Sequence, residues 1–168
     1  ANGGPLCIVY GPDDRDRHGP VVNFNILQND GLTLVSHIDV MAAAADAGIH
    51  IRAGAQCNPG AAQGNLNIPP AAVQRLAQDE NLQGCGLGPA FVECPKDELL
   101  AYDARPSEVA FGSDSGVSAF CDDPFAVAPV SDEVVQVPLG SVRASLGYLS
   151  TFDDVETLAT FLQRTYQA

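Results

Sequence analysis

Between Val21 and Leu27 the side chains alternate. Val21, Asn23 and Asn25 fall on one face of an extended chain, and Val22, Phe24 and Ile26 fall on the other. Successive strand residues point to opposite sides, so the pattern describes a strand with one apolar and one largely polar face. A sheet that contains it needs an apolar cover on one side, and amphipathic helices elsewhere in the chain supply one. Ser36, with Asp39 three residues on, resembles a capping box and opens a helix through Ala47 that Gly48 ends, with Ile38, Met41, Ala42 and Ala45 on one face. Near the C-terminus Ser150 and Thr151, each with an Asp three residues on (Asp153, Asp154), cap a helix whose buried stripe is Val155, Leu158, Ala159, Leu162 and Tyr166. Further strands are read at Leu6–Tyr10, closed by Gly11-Pro12, and at Leu32–Val35, a hairpin partner returning after Asn29-Asp30-Gly31. Ile49–Ala53 and Ser141–Leu146 complete the set, and Pro69-Pro70 open one more helix through Val73, Leu76 and Ala77. The expected fold is α+β, an open, mostly antiparallel sheet covered by helices on one face.

A chain of 168 residues suits a single domain, residues 1–168. Within it, residues 84–138 differ in composition, being rich in Gly, Pro, Ser and Asp with short apolar islands at Phe91–Val92, Val117–Phe120 and Val134–Val137. This stretch reads as a long insertion of irregular structure or a few short strands. With 46% apolar and 17% charged residues the chain is globular rather than disordered. Its formal net charge of −13 argues against nucleic acid and against anionic membranes, both of which need clustered Lys and Arg. No apolar run approaches membrane-spanning length, and Ala1–Pro5 has no signal-peptide pattern, so a soluble, cytoplasmic protein is expected. Cys7, Cys57, Cys85, Cys94 and Cys121 form an odd set without a CxxC pair, which suits free thiols in a reducing compartment. A zinc site from Cys85, Cys94, Cys121 and nearby carboxylates matches no structural ligand spacing.

The segment Ile49-His50-Ile51-Arg52-Ala53-Gly54-Ala55-Gln56-Cys57-Asn58-Pro59-Gly60 carries the chemistry. It places an arginine at a strand end and a cysteine in the loop that follows, Gly54–Gly64. A guanidinium grips a carboxylate through two parallel hydrogen bonds. A thiol on a loop beside it can attack the molecule so held, its thiolate fraction raised by a nearby cation. An isolated Cys is often only a small buried hydrophobe, but Cys57 sits among Gly, Gln, Asn and Pro rather than in an apolar run.

At this loop the sequence resembles a known family. Arg52-x-Gly54-x-x-Cys57 after a Gly-Ile-x-x strand is similar to the active-site loop of group II cysteine desulfurases, and the continuation Cys57-Asn58-Pro59-Gly60-Ala61 brings it closer to the molybdenum cofactor sulfurases. Gly19–Leu27 resembles the strand that opens that family's small domain, and Gly140–Thr151 with Asp153-Asp154-Val155 resembles its closing strand and helix. The resemblance implies the C-terminal small domain of a fold-type-I, class V aminotransferase. In that family the matching cysteine takes the sulfur of L-cysteine, held on pyridoxal phosphate, as a persulfide, and passes it to the molybdenum cofactor or its carrier. Carried over, Cys57 is the persulfide site, Arg52 clamps the substrate carboxylate, and Gly54 lets the loop turn close to the substrate. The resemblance leaves a homodimer of the full-length protein open.

Some positions depart from the family. Ala55 and Ala62 stand where other members often carry cysteines, and the stretch 84–138 is longer than the family pattern. Lys96, the single lysine, lies outside the cofactor-lysine context. The pyridoxal-phosphate-binding large domain is therefore expected elsewhere, in cis or in trans, and the chain is not expected to turn over cysteine by itself. The absence of a start methionine favours a domain cut from a longer protein. Arg143 is read as structural, anchoring its strand to the loop or pairing with an acidic neighbour, with an active-site role as the alternative. His50 is read as a packing or hydrogen-bonding residue, and Asn23 and Asn25 as sheet-edge or domain-contact residues. Two rivals stand beside this reading. One is a non-catalytic scaffold of the same fold, with Arg52 tied up in an internal ion pair. The other is a cysteine desulfurase feeding a different acceptor.

Overall fold

The computed structural model describes residues 6–11, 16, 19–28, 33–55, 59–66, 68–78, 90–102 and 134–167. Its main sheet has four strands, β1 (Cys7–Tyr10), β2 (Val21–Ile26), β3 (Arg52–Gly54) and β6 (Ser141–Ser145), in the order β1-β2-β6-β3. Every neighbouring pair is antiparallel. The alternation seen in the sequence sets the two faces. Phe24, Ile26 and Val142 form a buried cluster with Val40 of helix α1 (His37–Asp46) and Leu162 of helix α5 (Phe152–Tyr166). Both helices thus cover one face of an open sheet, and the fold is α+β as expected.

The helix ends follow their local chemistry. The Ser36 side chain accepts a hydrogen bond from the Asp39 backbone N–H, and Thr151 and Asp154 form a complete capping box. At the C-terminus of α1, Gly48 adopts φ +75°, and the backbone N–H groups of Gly48 and Ile49 donate to the carbonyls of Ala45 and Ala44. This Schellman closure occupies Ile49, so the strand expected from Ile49 begins only at Arg52. Two readings of α1 and the loop change. The residues of α1 that are buried are His37, Val40 and Ala44, not the stripe through Ile38 and Ala45. The loop expected over Gly54–Gly64 is interrupted by helix α2 (Pro59–Asn65), which Pro59 opens at a position where its missing N–H costs nothing. The return strand at Leu32–Val35 reduces to one bridge, Leu27↔Leu34.

A second apolar cluster sits around a two-stranded sheet, β4 (Phe91–Pro95) with β5 (Val134–Pro138). Val92, Cys94, Val135 and Val137 pack there with Leu66, Ile68, Ala72 of helix α3 (Pro70–Gln78) and Leu99 of helix α4 (Lys96–Ala101). The apolar islands Phe91–Val92 and Val134–Val137 are therefore a strand pair, whereas Val117–Phe120 lies outside the described residues. Arg75 bridges to Glu98 at 2.8 Å, tying α3 to α4. Tyr10 and Leu139 pack against this cluster, so the two cores share a border along β1 and the β5–β6 turn.

Among the described glycines, the one in that turn has the closest neighbours. A Cβ on Gly140 would lie 2.6 Å from Gly54 Cα and 2.8 Å from His37 Nε2, so only glycine lets β6 enter beside β3. Gly140→Ala is expected to lower stability by about 1–3 kcal/mol in urea denaturation, because two backbones must separate. Gly64→Ala, where a Cβ meets nothing within 4 Å, should instead be neutral or stabilising by up to about 1 kcal/mol.

Candidate functional site

The register of the main sheet assembles a row of polar residues on the face away from α1 and α5. Tyr10 pairs with Asn23, Asn23 with Arg143, and Arg143 with Arg52. Each of the four strands contributes one member. Directly opposed like charges on adjacent strands repel, yet Arg52 and Arg143 stand opposite each other, and neither makes a salt bridge among the described residues. Arg52 is exposed on the edge strand, and Arg143 is half-buried on an interior one. Arg143 Nε and Asn23 Oδ1 are buried without a hydrogen-bond partner. Two cations side by side, one of them with an unpaired Nε–H donor, make a place for an oxyanion, above all a carboxylate.

The neighbouring row is rigid. Asn25, 1% exposed, donates through Nδ2 to the Tyr10 hydroxyl at 3.0 Å and to the Gly140 carbonyl at 3.2 Å. It belongs to an interior strand, so its expected role at a sheet edge is corrected: it ties β1, β2 and the β5–β6 turn together. Burial pushes the Tyr10 hydroxyl well above its ordinary range, which keeps it a neutral partner for that amide. Gly54, opposite Ser141, has φ +109°, a conformation that side-chain-bearing residues rarely adopt. Its expected part in turning the chain out of β3 has that backbone basis. Ala55 follows it, and Gln56, Cys57 and Asn58 lie outside the described residues.

Of the three residues expected at the site, Arg52 and Gly54 are placed on one strand, and Cys57 follows three positions after Gly54 in the sequence. Arg143, read from the sequence as structural, is placed opposite Arg52. Its pairing with Arg52 is a matter of register, which no local pattern reveals. His50 precedes β3 and is exposed rather than packed. Among the described cysteines, burial pushes both the Cys7 and the Cys94 thiol up, which makes them poor nucleophiles. Cys85 and Cys121 lie outside the described residues, and no group of His, Cys, Asp and Glu among the described residues could hold a metal ion.

Comparison with known proteins meets this geometry at the same segment. Human molybdenum cofactor sulfurase is 28% identical over 165 residues, covering 96% of this chain and 13% of the relative. The Anopheles gambiae protein of that name is 31% identical over 169 residues, covering 99% of this chain and 16% of the relative. This chain is similar to one segment of the molybdenum cofactor sulfurases. The sulfurase of Arabidopsis thaliana aligns in the same way, 27% identical over 165 residues, 96% of this chain and 15% of the relative. The family resemblance read from the loop and its flanking blocks is thus borne out over nearly the whole chain, which spans about a seventh of the sulfurases it matches. No family model and no solved structure matches it. Among the described residues no helix is long and apolar enough to cross a membrane.

His37 gives the stability of the fold a pH dependence. Its imidazole is 5% exposed, its Nδ1 has no partner, and burial holds its pKa below the ordinary value despite the opposing pull of Asp39. The unfolded chain therefore takes up a proton near pH 6.5 that the folded chain refuses. The contribution of His37 is complete above that pH and is lost as pH falls below about 6.5. Urea titrations at a series of pH values should show stability declining below that point, and His37→Gln should flatten the decline.

Proposed function

We propose that the chain is the sulfur-accepting part of a pyridoxal-phosphate-dependent cysteine desulfurase that serves the molybdenum cofactor. In the net reaction the Cys57 thiolate attacks the sulfur of L-cysteine, and the carbon–sulfur bond breaks. The electron pair of that bond stays with the carbon, which takes up a proton to give alanine, while Cys57 becomes a persulfide. The terminal sulfur then passes to a thiolate acceptor on the carrier of the molybdenum cofactor, which becomes the persulfide as the S–S bond breaks and Cys57 leaves as a thiolate. Delivery to the cofactor as sulfide takes two further electrons from a thiol reductant.

The observation that carries this reading is the pairing of Arg52 with Arg143. Two guanidiniums without acidic partners among the described residues suit the carboxylate of an amino acid. Gly54 turns the chain at the end of β3, and Cys57 follows three positions later in the sequence. The names of the relatives support molybdenum cofactor as the acceptor over another sulfur acceptor. The scaffold alternative expects Arg52 in an internal ion pair, and Arg52 is exposed with no such pair among the described residues.

The described residues do not fit pyridoxal phosphate. The cofactor needs a lysine for its aldehyde and an acidic partner for its ring nitrogen. Lys96 is exposed at the start of α4, beside the second sheet rather than the arginine row. In this reading a large domain, in cis or in trans, brings the cofactor and its electron sink. A cytoplasmic location belongs to the same reading.

The test is to mix the chain with L-cysteine and a desulfurase large domain loaded with pyridoxal phosphate, then map persulfides by probe labelling and mass spectrometry. Cys57 should gain one sulfur atom, and Cys57→Ala should abolish the gain. Arg52→Gln and Arg143→Gln should each raise the L-cysteine concentration required by about 10- to 100-fold, with Arg143→Lys restoring little because a point charge lacks the fork. Persulfide on Cys85 or Cys121 with Cys57 unmodified would sink the reading.

A further inference from the structure

The connection between β6 and α5 displays apolar side chains that a folded domain normally hides. Tyr148 is 96% exposed, Phe152 78% and Leu149 76%, with Leu146 and Val21 beside them on the ends of β6 and β2. These groups are not on a loose loop. The Gly147 N–H donates to Ser150 Oγ at 2.9 Å, the Ser150 N–H returns to the Gly147 carbonyl at 3.0 Å, and the Leu146 N–H donates to the Pro20 carbonyl at 2.8 Å. The Thr151–Asp154 capping box then fixes the start of α5, where Phe152 sits. Ordered, exposed aromatic side chains are already arranged for contact, so little freedom is lost when a partner covers them.

The rim continues from the arginine row. Val21 lies two residues from Asn23 along β2, on the same face, and pairs with Ser145, two residues beyond Arg143 on β6. At roughly 3.3 Å per strand residue, a body resting on the rim reaches the Arg52–Arg143 pair. Asp153 and Glu156 border the rim on α5, so a complementary surface is apolar at its centre and basic at its edge. The sulfurases that match this chain carry more than four-fifths of their length outside the match, and the arginine row lacks a lysine for the cofactor.

We infer that the rim formed by Val21, Leu146, Tyr148, Leu149 and Phe152 is where the cofactor-bearing domain docks, and that docking closes the arginine row against it. The inference rests on the proposed function for the identity of the partner, while the surface stands on its own geometry.

A chimera of the Anopheles gambiae sulfurase, with this chain in place of its 169 matching residues, provides the test. Hydroxyl-radical footprinting compares Tyr148, Leu149 and Phe152 in the chimera and in the isolated chain. The expected result is protection of about 10-fold or more in the chimera, lost in the Tyr148→Ser/Phe152→Ser double variant at Leu149. Equal labelling in both proteins overturns the inference, as does a chimera that never accumulates as soluble protein. Sedimentation of the isolated chain covers the remaining occupant: a dimer abolished by the same double variant would assign the rim to a second copy and overturn the inference. Protection in a chimera that forms no persulfide would remove the proposed function and leave the docking surface. Persulfide on Cys57 without protection would do the reverse.

Discussion

The insertion of β6 between β2 and β3 is the constraint on which the rest of the structure depends. Val142 and Ala144 of β6 join Phe24, Ile26, Val40 and Leu162 under the two covering helices. With a side-chain period of two, burying those residues forces Arg143 to the opposite face. A slip of one residue would drive a guanidinium into the apolar core and expose Val142, so packing energy enforces the register. The same register that completes the core thus sets Arg143 opposite Arg52. The packed face and the arginine pair on the other face are consequences of a single pairing.

The entry of β6 is held by a buried hydrogen bond and by a close approach of backbones that only glycine permits. Asn25 reaches the Gly140 carbonyl from the interior of the sheet, and Gly140 lies against the backbone of Gly54 and the imidazole of His37. These residues come from distant parts of the chain and converge where β3 ends. The second core, around β4 and β5, meets the first along Tyr10 and Leu139, immediately before that point. Both cores therefore brace the root of the segment that leads to Cys57, and the arginine row ends on the same short edge strand.

Much of the fold was legible from local chemistry. The alternation of Val21–Ile26, the Ser36 and Thr151 caps and the Gly48 stop are written in neighbouring residues, because each depends on backbone groups within one turn or on the two-residue pleat. The face of α1 was not legible, since the run Ala42–Ala45 makes its sides nearly alike and only tertiary packing selects Val40 and Ala44. The candidate site divided the same way. Arg52 and Gly54 stood out with Cys57 because they are close in sequence, whereas Arg143 lies 91 positions after Arg52 and joins it through strand pairing alone. Helix α2 was hidden by Pro59-Gly60, which read as a turn although proline is well suited to a first helical turn.

The central claim is that Arg52 and Arg143 act as one carboxylate site, and nuclear magnetic resonance of the guanidinium Nε–H groups tests it most directly. L-cysteine would be titrated into the chain, with L-cysteine methyl ester as the control lacking a carboxylate. Both arginine signals should move together with one dissociation constant, the ester should move neither, and Arg143→Gln should remove the response of Arg52. An Arg52 signal that responds equally to the ester, or that responds unchanged in Arg143→Gln, would contradict the account.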